Sequence, residues 1–318
     1  MERPRVAVVG PGAVGGYFGG MLARAGARVT LVGRPGTALG AHLSQVARHG
    51  LRIEGARIRE TIAVEVTDTP RAVAGAELVL FCVKTVDTDE AASGIAPYVR
   101  DGAIVVSLQN GVDNVERLRR AGVDALAAVV FVGAAVERPG VIDHRGRGDL
   151  VVGALAGGSR AGAPTDAGRV AVWFERAGVP CRVAETIERE LWIKLIINSM
   201  SNPIAAVTGA TYAEIAEFEP AWRLAVVIAG EAVGVGNAAG VGLELDEVLA
   251  RARAVIESVG ASTASTRQDV ERGRATEIDA LNGYLSRRGS ELGIPTPVND
   301  AMHALVKLRE RRGGAQQP

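Results

Sequence analysis

The first half of the chain alternates short, wholly apolar runs with amphipathic stretches. "VAVVG" ends in glycine, and the residues behind it carry helical spacing to Ala25, with Gly26 as a natural stop. Arg28 to Val32 forms a second strand, and "LRIEGARIRETIAVEV" (51–66) alternates apolar and polar positions around a glycine, as a hairpin does. "AELVLFCVK" and "GAIVVSLQNG" are apolar throughout, the mark of strands covered on both faces. "ALAAVVFVGAAVERPGVIDH" and "DLVVGAL" extend the sheet, with Pro139-Gly140 at the turn. An amphipathic helix over 164–178 and a short strand in "VPCRVAE" complete the pattern. It predicts an α/β, Rossmann-like N-terminal domain over 1–185, a mostly parallel sheet flanked by helices.

Beyond residue 186 the period becomes helical. "IERELWIKLIINSMSN", "EPAWRLAVVIAGEAVGVG", "LDEVLARARAVIESV" and "ATEIDALNGYLSRRGSELG" all carry it, and no convincing strand follows. The second domain, 186–318, is expected to be all-α.

Composition narrows the function classes. Thirty-six basic and thirty-six acidic side chains in 318 residues leave no net charge, which argues against nucleic acid or an acidic membrane as partner. The most apolar long stretch, 223–243, contains Glu231, Asn237 and several glycines, so it reads as a buried helix and loop rather than a span. Cys82 and Cys181 are too few for a disulfide framework, and with no leader recognised the chain reads as cytoplasmic. Four scattered histidines form no metal signature, so no metal is expected. The apolar helical half allows a homodimer.

Gly10, Gly12 and Gly15 fit G-x-G-x-x-G between a strand and a helix. The first allows the tight turn, the second lets backbone approach a pyrophosphate, and the third lets helix and strand lie close. The cofactor-binding candidates are therefore Gly10, Gly12, Ala13, Val14 and Gly15. The second strand ends "TLVGRPG", with Gly33 and Arg34 where an NAD site places a carboxylate. A guanidinium there suits a 2′-phosphate and points to NADP(H); the alternative is a solvated loop arginine.

Three segments put polar residues where the pattern wants apolar ones. Lys84 and Asn110 stand at the C-terminal ends of buried strands, where ligands sit in open α/β sheets. A surface lysine and an Asn-Gly turn are the competing explanations. Glu190, Lys194, Asn198 and Asn202 recur every fourth residue, one polar stripe on a helix otherwise built of Leu, Ile and Met. Buried polar groups need partners, and a ligand would supply them; for Glu190 a helix ion pair with Lys194 is the simpler account. Pro203 is expected to end or kink that helix. Ser265, Glu277 and Asp279 lie in a polar segment before a helix, where Thr276 or Asp279 would serve equally as a cap.

These motifs together resemble the ketopantoate reductase (2-dehydropantoate 2-reductase) family along nearly the whole chain. They run in order: "GPGAVGGYFGG", "VKT", "QNG", "ELWIKLIINSMSNPIAAVTGA", "STRQDVERGRATEIDALNG" and "GIPTPVN". The resemblance implies an NADP-dependent reductase of a 2-keto acid, with Lys194 the catalytic lysine and Asn198 and Asn202 binding substrate. It implies that Ser265 holds the substrate carboxylate and that Glu277 contacts the substrate hydroxyl and the lysine, so Lys194 and Glu277 are the catalytic pair. Asn110 would sit beside nicotinamide and substrate, with Lys84, Arg34 and Glu277 toward the cofactor. Two positions depart from the family: Tyr212 stands where the best-known members have another substrate-contacting asparagine, and Arg267 follows Ser265-Thr266. Both bear on which acid is accepted, so a different 2-keto acid or a lactone stays open as substrate, as does a non-catalytic NADP-binding protein.

Overall fold

The computed structural model describes residues 3–34, 38–56, 58–156, 164–259 and 263–314. The chain divides into two compact units, Met1–Ile187 and Glu188–Pro318.

In the first unit ten strands form one sheet: β1 (Arg5–Val9), β2 (Arg28–Val32), β3 (Leu51–Gly55), β4 (Ile58–Ile62), β5 (Glu65–Thr67), β6 (Leu78–Phe81), β7 (Ile104–Ser107), β8 (Leu126–Arg138), β9 (Val141–Gly153) and β10 (Cys181–Val183). Their order is β4-β3-β9-β8-β7-β6-β1-β2-β5, with β10 also on β9. The run from β8 to β5 is parallel throughout, whereas β3–β4 and β8–β9 are antiparallel hairpins. The sheet is thus mostly parallel and flanked by helices, as the double-sided apolar runs require. The 51–66 stretch does something its alternation could not convey. Its first two segments pair with each other, but β5 leaves for the opposite edge and joins β2.

The helices of this unit are α1 (Ala13–Arg24), α2 (Ala38–His49), α3 (Thr88–Ile95), α4 (Asn114–Arg120) and α5 (Pro164–Arg176). Phe18 of α1, Leu31 of β2, Leu80 of β6, Ile104 of β7 and Phe174 of α5 are buried completely in one apolar cluster. Helix α1 lies close to the sheet because it presents glycine there: a Cβ on Gly15 would stand 2.6 Å from the Gly10 carbonyl oxygen and 2.8 Å from Val8.

The second unit is helical: α6 (Ile187–Thr208), α7 (Tyr212–Glu217), α8 (Glu219–Ala238), α9 (Leu245–Val259), α10 (Ser265–Glu271), α11 (Asn282–Leu292) and α12 (Pro297–Gly314). Of the two outcomes expected at Pro203, an end does not occur: α6 continues for five more residues. Proline has no N–H to give the carbonyl four residues back, that of Ser199. The Asn282 side chain replaces it, donating Nδ2 to the Ser199 oxygen at 3.0 Å. That amide is held in turn by Asn299, whose own Nδ2 donates to Glu231 at 2.8 Å. Among the described residues no helix is long and apolar enough to cross a membrane.

Candidate active site

The C-terminal ends of β1, β6 and β7 are knitted together in the first unit. Gly10 follows β1 with φ +83°, and a Cβ on it would stand 2.6 Å from the Val83 nitrogen, so the turns after β1 and β6 touch. Gln109, just past β7, donates Nε2 to the Val83 carbonyl at 3.0 Å and to the Thr88 hydroxyl at 2.7 Å. Asn114 and Thr85 both donate to the Asn110 carbonyl, at 2.6 and 3.3 Å. Strand order reverses about β1: β2 lies on one side and β6 on the other. This is the switch point where open α/β sheets bind ligands.

The cradle suits a dinucleotide. Gly12, the N-cap of α1, offers no side chain, and a Cβ there would meet nothing within 4 Å. Behind it the first turn, at Ala13, Val14 and Gly15, carries no acidic residue of its own to compete for the amides and the positive helix end. Lys84 is exposed at the start of the turn that leads into α3, and Asn110 is partly buried before Gly111, whose φ of +98° makes the Asn-Gly turn real. Arg34 follows β2, donating to Glu90 at 2.8 Å with Asp87 3.7 Å away.

The second unit gathers the other candidates. From Leu191 to Ala206, helix α6 is buried at every position except Lys194 and Asn198. Glu190 continues this line N-terminally and accepts from Arg251 at 2.6 Å. Asn202, at the far end, is 2% exposed and accepts from the Tyr212 phenol at 2.9 Å. Ala206 of α6, Val270 of α10, Ile278 and Val306 of α12 pack into one small core. Ser265, exposed at the start of α10, and Glu277, beside Ile278, are therefore carried by elements that share this core with α6.

The segment around Glu277 is not the helix start that the sequence pattern suggests. A 3-10 turn occupies Ile278–Ala280, and α11 begins only at Asn282. Neither Thr276 nor Asp279 caps α11. Both are held by α12 instead. Thr276 donates its N–H and hydroxyl to Glu310, at 2.8 and 2.5 Å. Asp279 accepts from His303 at 2.7 Å and from Lys307 at 2.9 Å. Glu277 is thus fixed from both flanks. Burial works to raise both carboxyls, but the His303 and Lys307 hydrogen bonds at Asp279, and those from Lys307 and Thr276 at Glu310, outweigh it and hold both below their ordinary values.

Arg267 does not lie free beside Ser265. It donates to Glu271 at 2.6 Å and to the Gly209 carbonyl, so its charge serves the loop ahead of α7. Gln109, Thr88 and Glu310 were not among the sequence candidates. Gln109 carried one sequence signal, a polar residue at the end of an apolar run, which it shares with Asn110; Thr88 and Glu310 lie in polar stretches that gave none.

The profile of the ketopantoate reductase PanE/ApbA family matches residues 6–157, and that of its C-terminal part matches 186–310. A 2-dehydropantoate 2-reductase of Pyrococcus horikoshii is 31% identical over 315 residues, covering 98% of this chain and all of that one. A solved PanE/ApbA family ketopantoate reductase from Ralstonia eutropha is 40% identical, with TM-score 0.87 over 97% of this chain and 99% of its own. D-mandelate dehydrogenase, solved with NADH and anilino(oxo)acetate, shares the fold at TM-score 0.88 with 23% identity, over 97% of this chain and 99% of its own.

Proposed function

The chain belongs to the ketopantoate reductase family, and from that premise we propose that it reduces 2-dehydropantoate (ketopantoate) to pantoate with NADPH, a step toward pantothenate and coenzyme A. One observation supports this reading most: within the otherwise buried stretch 191–206 of α6, Lys194 and Asn198 alone stay partly open.

When bound, NADPH supplies the hydride for the keto carbon. As negative charge gathers on the carbonyl oxygen, the Lys194 ammonium stabilises it and then gives it a proton. Asn198 and Asn202 hold the keto acid, Ser265 donates to its carboxylate, and Glu277 orients the ammonium and the new hydroxyl. The amides that follow Gly10 and Gly12 carry the pyrophosphate, Arg34 the 2′-phosphate, and Lys84, Asn110 and Glu277 face the cofactor. The two free cysteines fit a reducing, cytoplasmic setting.

Steady-state kinetics with ketopantoate and each nicotinamide cofactor tests the reading. Lys194→Ala should lower kcat by roughly 10²–10⁴-fold, the usual contribution of a general acid, while NADPH binding survives. Unchanged turnover would remove Lys194 from the chemistry. A second reading, the same reduction on another 2-keto acid, is favoured by Tyr212 beside Asn202. A panel of 2-keto acids under NADPH oxidation separates the two.

A further inference from the structure

Tyr212 is the first residue of α7, and its backbone is anchored on both sides. Thr211 caps the helix, its hydroxyl accepting from the Glu214 N–H at 3.2 Å while its own N–H donates to the Glu214 carboxylate at 2.7 Å. This reciprocal capping box fixes the direction in which α7 starts. One step earlier the chain turns at Gly209, with φ +77°, and Arg267 of α10 holds that glycine's carbonyl. The ring therefore leaves a braced loop, and its phenol donates to Asn202 Oδ1 at 2.9 Å.

The bond decides which end of the Asn202 amide is presented. Asn202 is itself buried, so its side chain has little freedom to turn. Burial pushes the Tyr212 phenol up to about 12, so it stays a protonated donor through the neutral range. A phenol that donates takes the amide oxygen, and the NH₂, a pure donor, is turned the other way.

We propose that Tyr212 is a positioning and specificity-determining residue. Through Asn202 it makes this end of the site a hydrogen-bond donor for the oxygens of a 2-keto acid, rather than an acceptor for a substrate hydroxyl. The inference rests on the reading that Asn202 binds the keto acid. It ties both departures from the family pattern to one device: Arg267 braces the loop, and Tyr212 sets the amide.

Kinetics of Y212F, N202D, N202A and Y212F/N202A against wild type test it, with keto acid and NADPH varied separately. Y212F keeps the ring and loses one hydrogen bond. It should raise KM for the keto acid about fivefold to tenfold, leaving kcat and the KM for NADPH within about twofold. N202D still accepts from Tyr212 but offers no N–H, so it should raise that KM at least as far as N202A. In the N202A background Y212F should add nothing, because the residue acts through the amide. If the wild type turns over but Y212F leaves the keto acid KM unchanged, the inference fails and the reductase reading stands. It fails equally if N202D binds as wild type or if the two single effects multiply. If the wild type reduces no 2-keto acid, the reductase reading fails and takes this one with it.

Discussion

Arg34 is a guanidinium with carboxylates already beside it. Its side chain is 47% exposed and that of Glu90 is 72% exposed. An ion pair so exposed contributes at most about 1 kcal/mol. A 2′-phosphate offers three strong acceptor oxygens and can be gripped by both arms of the fork. If NADPH is the cofactor, as proposed, its 2′-phosphate would win the arginine against a small competing pull from Glu90. Glu90→Gln should improve the KM for NADPH by about twofold to fivefold, with little change for NADH. Arg34→Asp should shift preference toward NADH. The ratio of kcat/KM for the two cofactors reads both changes, and a ratio indifferent to either would take Arg34 out of phosphate recognition. The missing carboxylate at the end of β2 was legible in the sequence. Its partner was not, since Glu90 lies 56 residues further along and only the fold brings the two together.

Helix α6 shows the same division between what spacing reveals and what packing decides. A polar residue at every fourth position predicts one face, and the structure leaves the middle of that face open at Lys194 and Asn198. Pro203 does not end the helix, because proline stops one only where the orphaned carbonyl finds no other donor. Here the donor is a side chain 83 residues away. The break ahead of α11 was hidden for a like reason: Thr276 and Asp279 look like caps in sequence, but both are claimed by α12. Asn282→Ala should destabilise the protein by about 1–3 kcal/mol, the cost of leaving a buried carbonyl unpaired. Pro203→Ala puts an N–H back opposite Ser199, so the same Asn282 change should cost less in that background. Denaturant unfolding of the two singles and the double decides the matter, and equal costs in both backgrounds would refute the substitution of side chain for backbone.

Taken as a whole, the chain matches its family over both units, and the class of each unit was readable from the change of period near residue 186. Strand order was not readable. Nothing in the alternation of 51–66 says that β5 will cross to the far edge, because that choice depends on which strand is left unpaired. A charge network in the second unit contributes to stability in acid. Asp279 and Glu310 titrate below their ordinary values, so the stability they contribute is complete above the normal carboxylate range near pH 4 and is lost as pH falls through the depressed values. The thermal midpoint should hold from neutrality to about pH 5 and fall below about pH 4. With Asp279→Asn and Glu310→Gln combined, the midpoint should start lower and fall less steeply; an acid limb as steep as wild type would remove the network from the account.

The sheet's margins have a consequence for association. Strands β5 and β10 are three residues long, and β4 exposes Arg59, Glu60 and Thr61 between two buried isoleucines. Glu60 is clasped by both arms of Arg24, and Glu65 of β5 accepts from Thr30. Short or charged margins offer a foreign strand little to template on. Among the described residues, the borders of the sheet therefore favour growth poorly. For two copies of this molecule, side chains on helical or loop surfaces offer a better meeting ground than a continued ladder.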